Sequence, residues 1–190
     1  VVKLLVEAGV AVEVLTDGEP PLVGAACCHL DIVQYLVGQG ARLAQQRCDG
    51  VTPLMAAAHT GQVATVQHLV MARAPLGQHD LMGQTALAVA VAQGHMDVLR
   101  LLHKAGADID PPSCPRVLNL AAAVGRADMV TYLLQAGAQA HGDAPWNTAA
   151  RQGHLLVLHL FADAGFPVDG PGPDGDTALH CAASAVQLDV

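Results

Sequence analysis

Aromatic residues are scarce in this chain of 190 residues, which contains one Trp, two Tyr and two Phe. Hydrophobic residues nevertheless make up 52% of the sequence, and most of them are Ala, Val and Leu. Large rings dominate the interior of many broad cores, whereas small aliphatic side chains let helices pack at close range. The composition therefore favours layers of closely packed helices over one large core.

Charged residues are also few, at 14% of the sequence, and their balance is acidic with a net charge of −8. A protein that binds nucleic acid without sequence preference needs a basic surface that replaces the counterions of the phosphates. We therefore expect no nucleic acid partner. The acidic balance mildly favours basic or neutral partners.

The five cysteines indicate no disulfide framework, because their number is odd and their density is low. Reduced cysteines are typical of intracellular compartments, so we expect an intracellular, cytoplasmic protein. The sequence also lacks a secretory signal and an uncharged apolar run of about 18 residues, the length that a membrane-spanning helix needs. We expect no membrane insertion.

Motifs that support catalysis or bind a cofactor are missing as well. The sequence contains no G-x-S-x-G, P-loop, H-E-x-x-H or dinucleotide-binding glycine pattern, and no calcium loop. We therefore expect no catalytic residue and no cofactor. This segment is not predicted to be an enzyme, and the question stays open for any longer parent chain.

Ten histidines raise the alternative of a metal site. Three of them, His29, His95 and His154, recur at equivalent positions of a repeat, and two of these directly follow a glycine. This recurrence favours a structural hydrogen bond made in each repeat. The Cys27-Cys28-His29 and His180-Cys181 runs lack the paired ligand spacing of a zinc site, so we expect no metal ligand.

An internal repeat organises the whole sequence, and two independent series of residues give its period. One series is a leucine that follows a threonine position, and the other is a glycine that ends a helical pattern. Both recur at intervals of 28 to 33 residues, which gives a period near 33. The first series comprises Leu22, Leu54, Leu87, Leu118, Trp146 and Leu179, and the second comprises Gly9, Gly40, Arg73, Gly106, Gly137 and Gly165.

The segment from Asp80 to Asp110 is the most regular copy. Thr85 is predicted to cap the start of a first helix with its hydroxyl. Gly94 is predicted to end that helix, Asp97 lies in the first turn of a second helix, and Gly106 ends the second helix. Each repeat is therefore predicted to be a helix, a turn, a second helix and a projecting loop.

These motifs resemble the ankyrin repeat family. Thr52-Pro53-Leu54 with Ala57-Ala58, and Thr177-Ala178-Leu179-His180 with Ala182-Ala183, are similar to the T-P-L-H-x-A-A signature of that family. The resemblance covers the whole chain and implies an all-α repeat solenoid, in which stacked helix-turn-helix units carry projecting hairpins or loops. One repeat cannot bury its own apolar face, so stacking of neighbours is obligatory.

We expect residues 1–190 to form a single array. Both ends fall at the same phase of the repeat and neither resembles a polar cap, which predicts a segment of a longer array that is monomeric in its parent chain. The predicted units are a partial repeat at 1–14, full repeats at 15–46, 47–79, 80–110, 111–138 and 139–171, and a partial repeat at 172–190.

The sixth repeat departs from the pattern, because its preceding loop is short and three aromatic residues fall within it. Trp146 and Phe161 stand where the other repeats have leucine, and Phe166 follows the glycine that ends the second helix. One interpretation is that these rings repack the core beside the shortened loop. The alternative is an aromatic wall of a binding groove, since aromatic residues are enriched in binding hot spots.

The resemblance implies that a partner protein or peptide binds the concave face, which loop tips and the exposed side of the first helices form. Leu81 and Met82 are an apolar pair at a predicted loop tip, where exposed apolar side chains favour binding, and the alternative is that both fold back onto the neighbouring loop. The function predicted first is therefore a non-catalytic interaction scaffold. The alternative is a regulatory or substrate-recruiting array in a larger enzyme such as a kinase or ubiquitin ligase. Mapped by repeat position, the predicted contact residues are Val51, His59, Thr60, Leu81, Met82, Gln84, Gln93, Pro115, Val124, Asp143, Arg151 and Gln152.

Amide hydrogen exchange of the isolated chain tests the expectation about the ends. Since the half repeats at 1–14 and 172–190 have a neighbour on one side only, they are expected to exchange faster than the fourth repeat. Equal protection of the half repeats and of residues 80–110 would contradict this expectation.

Overall fold

The computed structural model describes residues 20–110, 117–140, 144–172 and 174–185, and these residues fold into pairs of short helices. The helices in the described segments are α1 (Pro21–Ala26), α2 (Leu30–Gly38), α3 (Pro53–His59), α4 (Val63–Met71), α5 (Ala86–Ala92), α6 (Met96–Lys104), α7 (Val117–Val124), α8 (Ala127–Gln135), α9 (Pro145–Arg151), α10 (Leu155–Asp163) and α11 (Ala178–Ser184). The alternation of a first and a second helix confirms the predicted all-α repeat solenoid.

The helices form two compact units, Val1–Asp108 and Ile109–Val190. In the first unit, α1, α3 and α5 pack side by side as one layer, and α2, α4 and α6 form a second layer against them. In the second unit, α7, α9 and α11 form the first layer, while α8 and α10 form the second. Each unit thus repeats one packing arrangement between successive helix pairs.

Alanine pairs lie where the first helices meet. Ala57 and Ala58 in α3 are completely buried, and so are Ala149 and Ala150 in α9. Because a methyl group takes little space, the backbones of neighbouring first helices can approach closely. Leucines then fill the space between the two layers, as Leu69 and the equivalent residue Leu102 do with no exposed surface.

Threonine hydroxyls start three of the first helices, as predicted for Thr85. The Oγ1 atom of Thr85 accepts a hydrogen bond of 3.3 Å from the backbone N–H of Ala88. Thr52 accepts an equivalent bond of 3.2 Å from Met55, and Thr177 accepts one of 3.4 Å from His180. Each bond satisfies an N–H group that the first turn of a helix leaves without a partner.

The second helices end in the left-handed backbone region, where glycine is favoured because it has no Cβ. Gly40 and Gly106 have φ values of 86° and 94°. Arg73 holds the same position after α4 with a φ of 67°, and within the described segments it is the one non-glycine residue with a positive φ. The third repeat therefore contains a locally strained backbone that the other described repeats avoid.

The second repeat makes its turn between α1 and α2 without a left-handed glycine, as its sequence requires. The N–H groups of Cys28 and His29 both donate to the carbonyl of Ala25, at 3.3 and 2.9 Å. Neither residue has a positive φ. The turn is thus closed by hydrogen bonds that tighten the end of α1.

The projecting segments are loops in the parts that the structure describes. Their sole β-type pairing is an isolated antiparallel bridge between His79 and Thr85. No described helix is long and apolar enough to cross a membrane.

The aromatic residues of the sixth repeat form part of the core of the second unit. Phe161 is completely buried and Trp146 is 8% exposed, while Phe166 is half-buried at the edge. The ring centroids of Phe161 and Phe166 are 5.6 Å apart, and that of Trp146 lies 6.5 Å from Phe161. This edge-to-face packing supports the core interpretation and rejects an aromatic groove wall.

Replacement of Arg73 by glycine is expected to stabilise the chain by about 1 kcal/mol, since it removes the penalty of a Cβ in the left-handed region. The matched control is Gly106→Ala, which places a Cβ at an equivalent backbone position with no atom within 4 Å. The control is expected to destabilise the chain by about 1 kcal/mol through backbone strain alone. Urea denaturation measures both changes, and a loss of stability in Arg73→Gly would contradict the assignment of strain.

Candidate functional site

Two projecting loops of the first unit lie directly against each other. The N–H of Leu81 donates to the carbonyl of Asp49 at 3.0 Å, and the side-chain amide of Gln46 donates to the carbonyl of His79 at 3.2 Å. Gly50 makes this contact possible, because a Cβ at that position would come within 2.9 Å of the backbone of Asp80. The loops of the third and fourth repeats are therefore fixed relative to each other.

The loop of the fourth repeat is also held from within by Asp80. One carboxylate oxygen of Asp80 accepts hydrogen bonds from the N–H groups of Met82 and Gln84, at 2.9 and 2.8 Å. The side chains of Leu81 and Met82, which we name the tip, are 80% and 82% exposed. The tip therefore presents two apolar side chains on a backbone that is already ordered, and it does not fold back onto the neighbouring loop.

The loop of the third repeat carries an ion pair between Arg47 and Asp49. The Nε atom of Arg47 donates to both carboxylate oxygens of Asp49, at 3.0 and 3.1 Å. This hydrogen bonding, with a further bond from the N–H of Val51, lowers the pKa of Asp49 to about 2. The pair orders the loop and leaves little net charge there.

Beneath the tip lies a groove with a volume of about 350 Å³, between the loops and the first helices of the third and fourth repeats. Side chains from α3 and α5 form its floor, and residues of the loops and helix ends form its rim. Cavities of this size are typical of sites that hold a small ligand or one large side chain of a partner. The groove is lined by Cys27, Arg47, Val51, Met55, Ala56, His59, Asp80, Gln84, Val89 and Gln93.

Four of the predicted contact residues meet in this groove: Val51, His59, Gln84 and Gln93. Thr60 is exposed beside them, at the position equivalent to Gln93, and its hydroxyl donates to the carbonyl of Ala56.

The remaining predicted contact residues belong to the second unit. Val124 is half-buried there, and Arg151 and Gln152 are exposed. Arg151 also donates to the buried thiol sulfur of Cys181 at 3.6 Å. Pro115 and Asp143 lie outside the described residues.

Sequence reasoning missed Arg47, Asp80 and the groove floor. Arg47 and Asp80 are 33 residues apart and so occupy the same position in successive loops, a signal that could have located them. Met55 and Val89 lie on first helices and match core residues by periodicity, so nothing in the pattern marks them as groove residues.

His95 and His154 make the structural hydrogen bond that the recurrence of histidine predicts, whereas the described residues show no such bond for the ring of His29. A ring nitrogen of His95 lies 3.0 Å from the carbonyl of His59, and a ring nitrogen of His154 lies 3.1 Å from the carbonyl of Ala123. A carbonyl only accepts, so each ring donates. In both cases the histidine lies at the start of a second helix, and its bond connects that helix to the first helix of the preceding repeat.

The described residues contain no cluster of His, Cys, Asp or Glu that could hold a metal ion.

A family model described as ankyrin repeats (3 copies) matches residues 29–113 and 117–190. The chain belongs to the ankyrin repeat family. Two similar proteins carry the same name, Ankyrin repeat and SOCS box protein 11, from Homo sapiens and Pongo abelii. Each is 34% identical over 97 residues, an alignment that covers 48% of this chain and 30% of the relative.

Solved ankyrin-like structures share the fold over nearly the whole chain. The ankyrin repeat domain of Bcl-3, described as a unique member of the IkappaB protein family, has a TM-score of 0.78 at 27% identity. That comparison covers 95% of this chain and 86% of the other. A chain from the complex of a predatory endopeptidase of Bdellovibrio bacteriovorus with an immunity protein has a TM-score of 0.79 at 28% identity. It covers 90% of this chain and 95% of the other.

Substitution of Arg47 by glutamine is expected to raise the pKa of Asp49 from about 2 towards its ordinary value of 3.8, because the charged hydrogen bonds are lost. With Arg47 present, the lowered pKa stabilises the folded ankyrin array above about pH 4, and this contribution disappears as the pH falls towards about 2. The effect on stability is small, since both side chains are partly exposed.

An NMR pH titration of the Asp49 carboxyl carbon measures this change. Arg126→Gln serves as the control, because Arg126 makes the same kind of pair with Asp128 and lowers the pKa of that residue instead. An Asp49 pKa that is unchanged in Arg47→Gln would contradict the assigned cause.

Proposed function

We propose that this segment is a non-catalytic scaffold that binds a partner protein or peptide through the groove and the tip of its first unit. Ankyrin repeats generally mediate protein–protein interaction. The observation on which the proposal rests is the tip, where Leu81 and Met82 are 80% and 82% exposed on an ordered loop. Val124, Arg151 and Gln152 offer a separate contact surface on the second unit.

The tip can contribute much of the binding free energy. Full burial of one Leu or Met side chain is worth about 1.5–3 kcal/mol. The loop needs little further ordering on binding, because Asp80 already holds two of its N–H groups and Leu81 is bonded to the adjacent loop. Preorganisation of this kind lowers the entropic cost of association.

The groove supplies the recognition that the tip alone lacks. Its floor combines the side chains of Met55, Ala56 and Val89, while Gln84 and Gln93 provide amide groups at the rim. An apolar floor with a few polar groups at its edge suits one buried side chain of a partner together with the backbone on either side of it.

A second candidate is a substrate-recruiting or regulatory array within a larger enzyme such as a ubiquitin ligase or kinase. The observation that favours it is the similarity to proteins whose name joins ankyrin repeats with a SOCS box. This chain spans about a third of the length of those relatives. In this candidate function the same groove holds the recruited protein, and a separate domain acts on it.

Replacement of Met82 by aspartate is expected to weaken partner binding by about tenfold or more, because a carboxylate cannot enter an apolar contact without a large desolvation penalty. Met71→Asp is the matched control, since Met71 is 74% exposed at the end of α4 and does not line the groove. Both variants make the same chemical change at an exposed methionine, so both are expected to stay folded.

Quantitative affinity capture from cell lysate, followed by titration of each purified partner, measures the difference. Proteins that bind the wild-type chain and Met71→Asp but not Met82→Asp are the expected result. Equal recovery of every captured protein by the two variants would contradict the proposed surface. The modification of each captured partner in cells distinguishes recruitment to an enzyme from scaffolding. A modification that is lost when Met82→Asp replaces the wild-type protein supports recruitment, and an unchanged modification supports scaffolding.

A further inference from the structure

Asp80 brings a negative charge to the rim of the groove. Its carboxylate accepts two backbone hydrogen bonds through one oxygen, and it forms no ion pair with a lysine or arginine of the described segments. The nearby guanidinium of Arg47 is instead bonded to Asp49 within its own loop. The groove therefore contains one oriented carboxylate whose charge the neighbouring loop does not neutralise.

Two uncharged amides also line the groove, beside Arg47 and His59. The side chains of Gln84 and Gln93 line the groove and make no hydrogen bond to another described residue. An amide group both donates and accepts, so it can pair with the N–H and C=O groups of an extended backbone. The floor between them is apolar, with Met55 and Val89 on neighbouring first helices.

We propose that the groove binds an extended segment of a partner protein in which an apolar side chain lies close to a lysine or arginine. The apolar side chain occupies the floor at Met55 and Val89, and the basic group pairs with the carboxylate of Asp80. This inference rests on the proposed function and adds the chemistry of the partner. The net charge of −8 acts in the same direction, because it attracts a basic segment over a longer range.

An acidic segment fits the same groove poorly. The one guanidinium at the rim belongs to Arg47, which already has a carboxylate partner in Asp49. An added carboxylate would approach Asp80 without a free cation to offset the repulsion. The charges thus select against acidic partners as well as for basic ones.

Selection of phage-displayed random dodecapeptides on the wild-type chain tests the inference. The selected peptides are expected to combine an apolar residue with a nearby Lys or Arg. A synthetic peptide of the selected sequence then provides the affinity measurement, by fluorescence anisotropy, with its basic residue present or replaced by glutamine.

Asp80→Asn is the key variant, because an asparagine oxygen can still accept the N–H groups of Met82 and Gln84 while the charge is removed. We expect it to weaken binding of the basic peptide by about fivefold, and the glutamine-substituted peptide to bind the two chains equally. Asp97→Asn is the control, since it makes the same charge change on an exposed residue at the start of α6, outside the groove.

Three results separate the possible failures. Selected peptides that contain apolar residues without an excess of Lys or Arg, and that still lose affinity in Met82→Asp, overturn this inference and leave the proposed function standing. Equal weakening by Asp80→Asn and Asp97→Asn also overturns it, because the attraction would then be general. Selected peptides that are insensitive to Met82→Asp overturn the proposed surface itself.

Discussion

Within each unit, neighbouring repeats of the described residues hold one another in place, and the other features depend on that contact. A pair of short helices cannot bury its own apolar face, so the free energy of folding comes from stacking. The histidine bonds connect neighbouring repeats. His95 and His154 donate to carbonyls of the preceding repeat, and their rings lie so close to Gly61 and Gly125 that a Cβ there would come within 2.7 Å. Glycine is therefore required at Gly61 and Gly125 for two reasons: the backbone has a positive φ, and the histidine ring leaves no room for a Cβ.

The stacking also builds the proposed binding surface. Because α3 and α5 pack side by side, their loops emerge in parallel and meet through Asp49, Gly50 and Leu81. The groove is lined mainly by two consecutive repeats, with some equivalent positions such as Val51 and Gln84, and neither repeat could form it alone. The chemistry of the groove then depends on the few positions at which the two repeats differ, such as Arg47 in one loop and Asp80 in the next.

Periodicity predicted the helices, their threonine caps and the histidine bonds, since each of these depends on local sequence or on the repeat itself. It also placed Gln84 near Val51 and Gln93 near Thr60, because residues one period apart face the same side. The lack of room for a Cβ at Gly50 and the orientation of the Asp80 side chain depend on how two loops pack together, and the repeat pattern of the sequence does not contain that information. The sequence did not decide between a core and a groove wall for the aromatic residues around Trp146 for the same reason, because the burial of a side chain depends on the neighbours that pack against it.

Methyl NMR of the chain bound to a partner tests the central claim most directly, because methionine methyl groups lie both inside and outside the proposed surface. The account predicts that binding shifts the methyl signals of Met55 in the groove and Met82 at the tip, while the exposed Met71 at the end of α4 is unaffected. Shifts at Met71 with unchanged signals from Met55 and Met82 would contradict it, and would place the partner on the layer of second helices.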